Sequence, residues 1–104
     1  MKLKFAALAL ALSVCVSAQA EEKPTPEQSC AETYELAEVV MKARQVGVKL
    51  PDMMEAVADD QMALFLIREA YAQPRFNVEE NQTKEIQRFA EQYYLVCLKV
   101  ARGE

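Results

Sequence analysis

The sequence predicts an all-α fold: a small bundle of about four helices, with one disulfide joining the first helix to the last. Three observations point there. Apolar residues recur at helical spacing through two long stretches, as in Cys30, Tyr34, Ala37 and Met41. Proline, glycine, asparagine and aspartate punctuate the chain between those stretches. Two cysteines, Cys30 and Cys97, lie toward opposite ends of the part expected to fold.

The first 20 residues, MKLKFAALALALSVCVSAQA, read as a secretory signal peptide. Lys2 and Lys4 precede a short apolar run, and Ala18-Gln19-Ala20 is a small-x-small cleavage site. Leu8 to Val16 is too short to span a bilayer, which disfavours a retained anchor. A lipoprotein signal ending at Cys15 would place Val14 where a small residue is usual. Residues 21–104 then form one small helical domain of a size that often needs a staple. Loss of Lys2 and Lys4 moves the net charge from −4 to −6. Such a chain is a poor partner for nucleic acid or for an anionic membrane surface.

Export also frames the cysteines. Cys15 leaves with the leader, and Cys30 and Cys97 remain as one expected disulfide, the alternative being two free buried thiols. A loop that long is stabilised by about 4 kcal/mol on the chain-entropy estimate. The bridge requires the two Cα atoms within about 7 Å, so the first and last helices should lie side by side and antiparallel. With no histidine and no second cysteine pair, a metal site is not expected.

Taken in order, Glu21 to Pro24 is a short lead. Thr25 with Gln28 forms a capping box, and Pro26 suits the first helical position. Helix one should run from Pro26 to about Val46, with Gly47 as its stop. Leu36, Val40 and Ala43 widen its apolar stripe. Pro51 and Asp52 open a second helix whose face holds Met53, Met54, Ala56 and Val57. Run on unbroken, that helix would turn Asp60 onto its apolar face, so a break is expected near Asp59-Asp60, with an aspartate capping helix three.

Helix three, about Asp60 to Ala72, contains Met62 to Ile67, apolar on every side, and is expected to be the buried centre of the bundle. Pro74 ends it by disfavouring helical geometry at Gln73. Asn77 with Glu80 resembles a new cap and opens helix four, about Val78 to Ala101. Gln82, Ile86, Phe89, Tyr93, Val96, Cys97 and Val100 follow its apolar spacing, while Lys84, Arg88 and Glu91 face out.

The inventory for catalysis is thin. There is no histidine, one serine (Ser29) after the leader, and no glycine-rich loop, so neither a Ser/His/Asp nor a Cys/His arrangement can be assembled. The expectation is a protein that is not an enzyme and carries no cofactor. Candidate partner-binding residues are Arg44, Arg75, Phe76, Tyr94 and Leu98. Arg44 falls within helix one's apolar arc, where a cation must find a partner, reach water or anchor something in a groove. Arg75 and Phe76 occupy the bend at QPRF, which reads mainly as a joint between helices, with Phe76 packing down on the bundle. Tyr94 and Leu98 form an expected exposed pair, suited also to a homodimer. Met41 and Met53 read as core, while Met54 and Met62 lie off the main stripes and suit either core or an adaptable surface.

Cys30, MKARQVGV, REAYAQPRF and FAEQYYLVC together resemble a group of small exported proteins of Gram-negative bacteria and their phages and prophages. The resemblance implies compartment and helical architecture. In size, export and single bridge the chain is also similar to small periplasmic acid-stress chaperones of the Hde type. Two functions follow as expectations. The first is a non-enzymatic periplasmic protein that binds or inhibits another periplasmic or envelope protein, in exclusion, immunity or lysis control. The second is an acid-stress chaperone, because many carboxylates and no histidine give a large gain of positive charge below about pH 4.

Overall fold

The computed structural model describes residues 23–103. The expected signal peptide, including Cys15, lies outside them. Among the described residues there are four helices and no strand: α1 (Pro26–Val46), α2 (Leu50–Ala56), α3 (Gln61–Tyr71) and α4 (Glu79–Ala101).

Local chemistry sets most of the boundaries. Thr25 Oγ1 accepts from the Gln28 amide at 3.1 Å, and Gln28 Oε1 accepts from the Thr25 amide at 2.8 Å, completing the capping box of α1. Gly47 ends α1 in the left-handed conformation, φ 94°, and its N–H bonds back to the Ala43 and Arg44 carbonyls. The Asp60 carboxylate caps α3 by accepting from the Ala63 amide at 3.0 Å. The expected cap on Asn77 is a correction. Helix α4 starts at Glu79, so the capping position falls on Val78, which has no side chain able to fill it. Asn77 stands one residue too early, and Glu79 and Glu80 instead place negative charge at the helix's positive end.

Helices α1 and α4 form the backbone of the molecule. Cys30 and Cys97 are bridged, with Cα atoms 5.6 Å apart. Tyr34 meets Tyr94 further along, and the Gln82 amide reaches the Gln45 carbonyl near the other end. That order of pairs makes α1 and α4 antiparallel neighbours. The core between and beside them is Ala37, Val40 and Met41 of α1, Leu66, Ile67 and Ala70 of α3, and Phe89, Ala90 and Tyr93 of α4. Each large side chain buried there contributes about 1.5–3 kcal/mol.

Helix α3 is not the buried centre that its six apolar residues predict. Only Ala63, Leu66, Ile67 and Ala70 are buried. Met62 and Phe65 remain 47% and 43% exposed. At 11 residues α3 is about 16 Å long, against about 34 Å for the 23 residues of α4. Its C-terminal end is level with the end of α1, where Arg44 holds the Gln73 carbonyl. Among the described helices it therefore covers the joint end of the α1–α4 pair and does not reach the disulfide end.

Candidate functional site

The uncovered end is a cleft of 430 Å3. Pro26, Cys30 and Thr33 of α1 form one wall, Val96, Cys97 and Val100 of α4 form the other, and Met62 and Phe65 close the floor where α3 begins. Every lining residue is uncharged, in a chain of which 27% of residues are charged. Val96 and Val100 are 44% and 72% exposed. Both lie on the stripe that the sequence assigns to the core. Periodicity turns them toward α3, but α3 has ended by that level. Single exposed apolar residues such as Val39 or Leu95 are ordinary on a protein surface. Here four such residues, Met62, Phe65, Val96 and Val100, share one concavity, the kind of clustered apolar surface that protein interaction sites use.

Tyr93 joins the floor to the core. Its ring packs against Phe89, with centroids 4.8 Å apart, and stands edge-on to Phe65 at 5.7 Å. Its hydroxyl donates to Glu69 Oε1 at 3.0 Å, tying α4 to α3. Burial, and then the Glu69 carboxylate, push the phenol up to about 12. The floor is therefore neutral at physiological pH. At the wall the Thr33 hydroxyl faces Cys97 Sγ at 3.9 Å. The cleft holds no charged acid or base, and its hydroxyls are those of Ser29, Thr33 and Tyr93. What it can do is take up an uncharged apolar group, and its volume falls in the usual range for ligand pockets, roughly 300–1,000 Å3.

The candidate residues read from the sequence fall elsewhere. Arg44, Arg75 and Phe76 come together at the opposite end, in the joint between α3 and α4. The Arg44 guanidinium donates twice to the Gln73 carbonyl, at 3.0 and 3.2 Å, and lies 5.3 Å from the centre of the Tyr71 ring. Tyr71 in turn donates to the Val48 carbonyl at 2.6 Å. Arg75 bends back over Gly47 and donates to the Gln45 carbonyl at 3.1 Å. Phe76 is half-buried.

At the centre of the joint is Gln45, 1% exposed. Its Nε2 donates to the Pro74 carbonyl at 2.9 Å, and its Oε1 accepts from the Phe76 amide at 2.8 Å. Sequence reading passed over it, although it follows Ala37 and Met41 at steps of four residues and so falls on the buried stripe. The QPRF bend is thus fixed by α1 side chains that satisfy the part-buried polar groups of its backbone.

Tyr94 and Leu98 are not the exposed pair expected of them. Tyr94 packs edge-on against Tyr34, with centroids 6.1 Å apart, and Leu98, one turn on, is 9% exposed. Both face α1 across the helix pair. Beside the two tyrosines lie Glu35, Glu38 and Glu91. Packing of the ring, and then Glu38 and Glu91, raise the Tyr34 phenol above its ordinary range. Among the described residues no group of three or more carboxylates and cysteines is placed to hold a metal ion. No described helix is long and apolar enough to cross a membrane. Comparison with protein-family models, curated proteins and solved structures finds no match to this chain.

Proposed function

We propose that this chain is a non-enzymatic binding protein of the bacterial envelope, exported by its leader, which holds an uncharged apolar segment of another envelope protein in the cleft between α1, α3 and α4. The observation that carries this reading is the short reach of α3, whose first turns stop at the cleft floor. It leaves a seat on the α1–α4 pair, lined by exposed Met62, Phe65, Val96 and Val100 and by no charge. The disulfide supports the same reading, because it clamps the two walls at the end that α3 does not reach. Capping or inhibiting the bound protein is the simplest use of such a seat. Exclusion, immunity and lysis control are the roles that such a use would serve.

The test is capture from periplasmic extract with the oxidised protein and with Val100→Glu as baits. Val100 is largely exposed, so the substitution leaves the fold intact. A stoichiometric protein retained by the first bait and lost from the second supports the proposal. Equal retention on both baits removes the cleft from the account.

The acid-stress chaperone is a second reading, favoured by the Glu69 carboxylate that ties α3 to α4 at the cleft floor. The chain carries 16 Asp and Glu and no histidine, so acid gives it a large positive charge that favours opening of the bundle and a wider apolar surface. Apolar-dye fluorescence that stays flat from neutral pH to about pH 2 would remove this reading.

A further inference from the structure

From the other side of the helix pair we infer a second docking surface: the face of α1 and α4 turned away from α3 takes an arginine side chain from a basic segment of a partner protein, between Tyr34, Tyr94 and the carboxylates of Glu35, Glu38 and Glu91. This surface is separate from the apolar cleft. At 3.6 residues per turn, its lining residues lie about 140° round each helix from those that line the cleft. They form an open concavity of 520 Å3 in which every charged residue is acidic. Among the described residues none of the three carboxylates forms an ion pair. Arg88, one turn before Glu91, is held by Glu85 and Gln92 instead.

Charge complementarity sets the sign of the occupant, and the rings set its kind. Tyr34 and Tyr94 cross at 89° with centroids 6.1 Å apart, so one ring gives its edge and keeps its own faces clear of the other. Both rings are half-buried and line the concavity. A ring face attracts a cation, and a planar guanidinium stacks on it while its fork of N–H donors reaches carboxylates. Packing of the Tyr34 ring, and then the charges of Glu38 and Glu91, hold its phenol above the ordinary range, so both carboxylates bear on the ring. The three carboxylates are not placed to hold one metal ion between them. A guanidinium, with donors pointing in several directions, engages carboxylates that do not converge on a point. The net charge of −4 draws basic segments toward the protein and repels phosphate-bearing ones.

The probe is a short peptide of alternating arginine and glycine, with counterparts that carry citrulline or lysine in place of arginine. Citrulline keeps the shape of arginine and loses its charge. Each peptide is titrated into the isotope-labelled oxidised protein and followed by its amide resonances. Saturable shifts centred on residues 31–38 and 91–94 with the arginine peptide support the inference. The citrulline peptide is expected to bind at least about tenfold more weakly, and the lysine peptide to fall between the two. Glu38→Gln with Glu91→Gln, and separately Tyr94→Leu, are expected to weaken the arginine peptide. Neither carboxylate is buried or ion-paired, so the double variant keeps the fold whatever Tyr94→Leu does to it. Equal binding of the arginine peptide and either counterpart overturns the inference, as does arginine-peptide binding that the double glutamine variant leaves unchanged. Val100→Glu separates this surface from the cleft. Binding of the arginine peptide is expected to survive it, and loss of binding there puts the peptide in the cleft and overturns the second surface.

Discussion

Phe65 stands edge-on to Tyr93, with ring centroids 5.7 Å apart, and is still 43% exposed. One edge of its ring is used by the fold and the rest is offered to the cleft. Replacement by Ala therefore separates two effects. Loss of the Tyr93 contact costs about 0.5–1.5 kcal/mol beyond the lost area. Loss of cleft surface weakens partner capture. Phe65→Leu is expected to keep most of the binding, and Phe65→Ala to lose at least about tenfold in affinity, equivalent to 1.4 kcal/mol. Titration of the captured partner against both variants checks this.

Gln45 anchors the joint, so its replacement is expected to be the most destabilising polar substitution there. Gln45→Leu leaves the Pro74 carbonyl and the Phe76 amide without their partner, at a cost of about 2–3 kcal/mol. Arg44→Met removes two hydrogen bonds to one carbonyl and the contact with Tyr71, at a cost of about 1–2 kcal/mol. Urea unfolding of both variants measures the difference. An Arg44→Met protein as stable as the parent would mean that its side chain is merely solvated.

Gly47 is constrained twice. Its φ of 94° disfavours any side chain, and a Cβ would lie 2.8 Å from Arg75 Nη2. Gly47→Ala is expected to destabilise by about 1–2 kcal/mol. In an Arg75→Ala background the steric part disappears and the cost of the substitution falls toward about 1 kcal/mol. A double-mutant cycle reads the coupling; additive effects would place Arg75 elsewhere in solution.

Tyr93 predicts an alkaline limit. Its phenol is pushed up to about 12, from an ordinary value of 10.0. The folded state thus favours the protonated form. Its contribution is fully present below about pH 10 and is lost as pH rises toward about pH 12. Tyr34 and Tyr71 are raised in the same direction and add to the loss. The urea midpoint should fall between about pH 10 and about pH 12, and fall less in Tyr93→Phe. Identical slopes in the two proteins would show that Tyr93 does not carry the effect.

What the sequence made legible is what local chemistry decides. Thr25 with Gln28, Gly47 and Asp60 mark boundaries by hydrogen bonds to residues three or four positions away; the first two boundaries stand where the sequence puts them, and of the two aspartates expected near the third, Asp60 is the cap. Asn77 failed by one position, because α4 begins at Glu79 and its start is held by the acidic first turn. The disulfide follows from the expected compartment and the cysteine count, and it fixes the pairing of α1 with α4. Periodicity assigned Val96 and Val100 to the correct face of α4. It carries no information on where the neighbour covering that face ends, so the cleft was read as core. Leu98 was misjudged for the complementary reason, since it faces α1, which continues to that level. Helix lengths alone contained the clue, because a helix of about 13 expected residues cannot cover one of about 24.

The decisive measurement is in-cell photo-cross-linking with benzophenone placed at Val100 and, separately, at Leu95. Both side chains are exposed, at 72% and 56%, and only Val100 lines the cleft. A single saturable adduct with one envelope protein from position 100, and none from position 95, is the result expected of a cleft that holds a partner. The same adducts from both positions, or none from position 100, would contradict it.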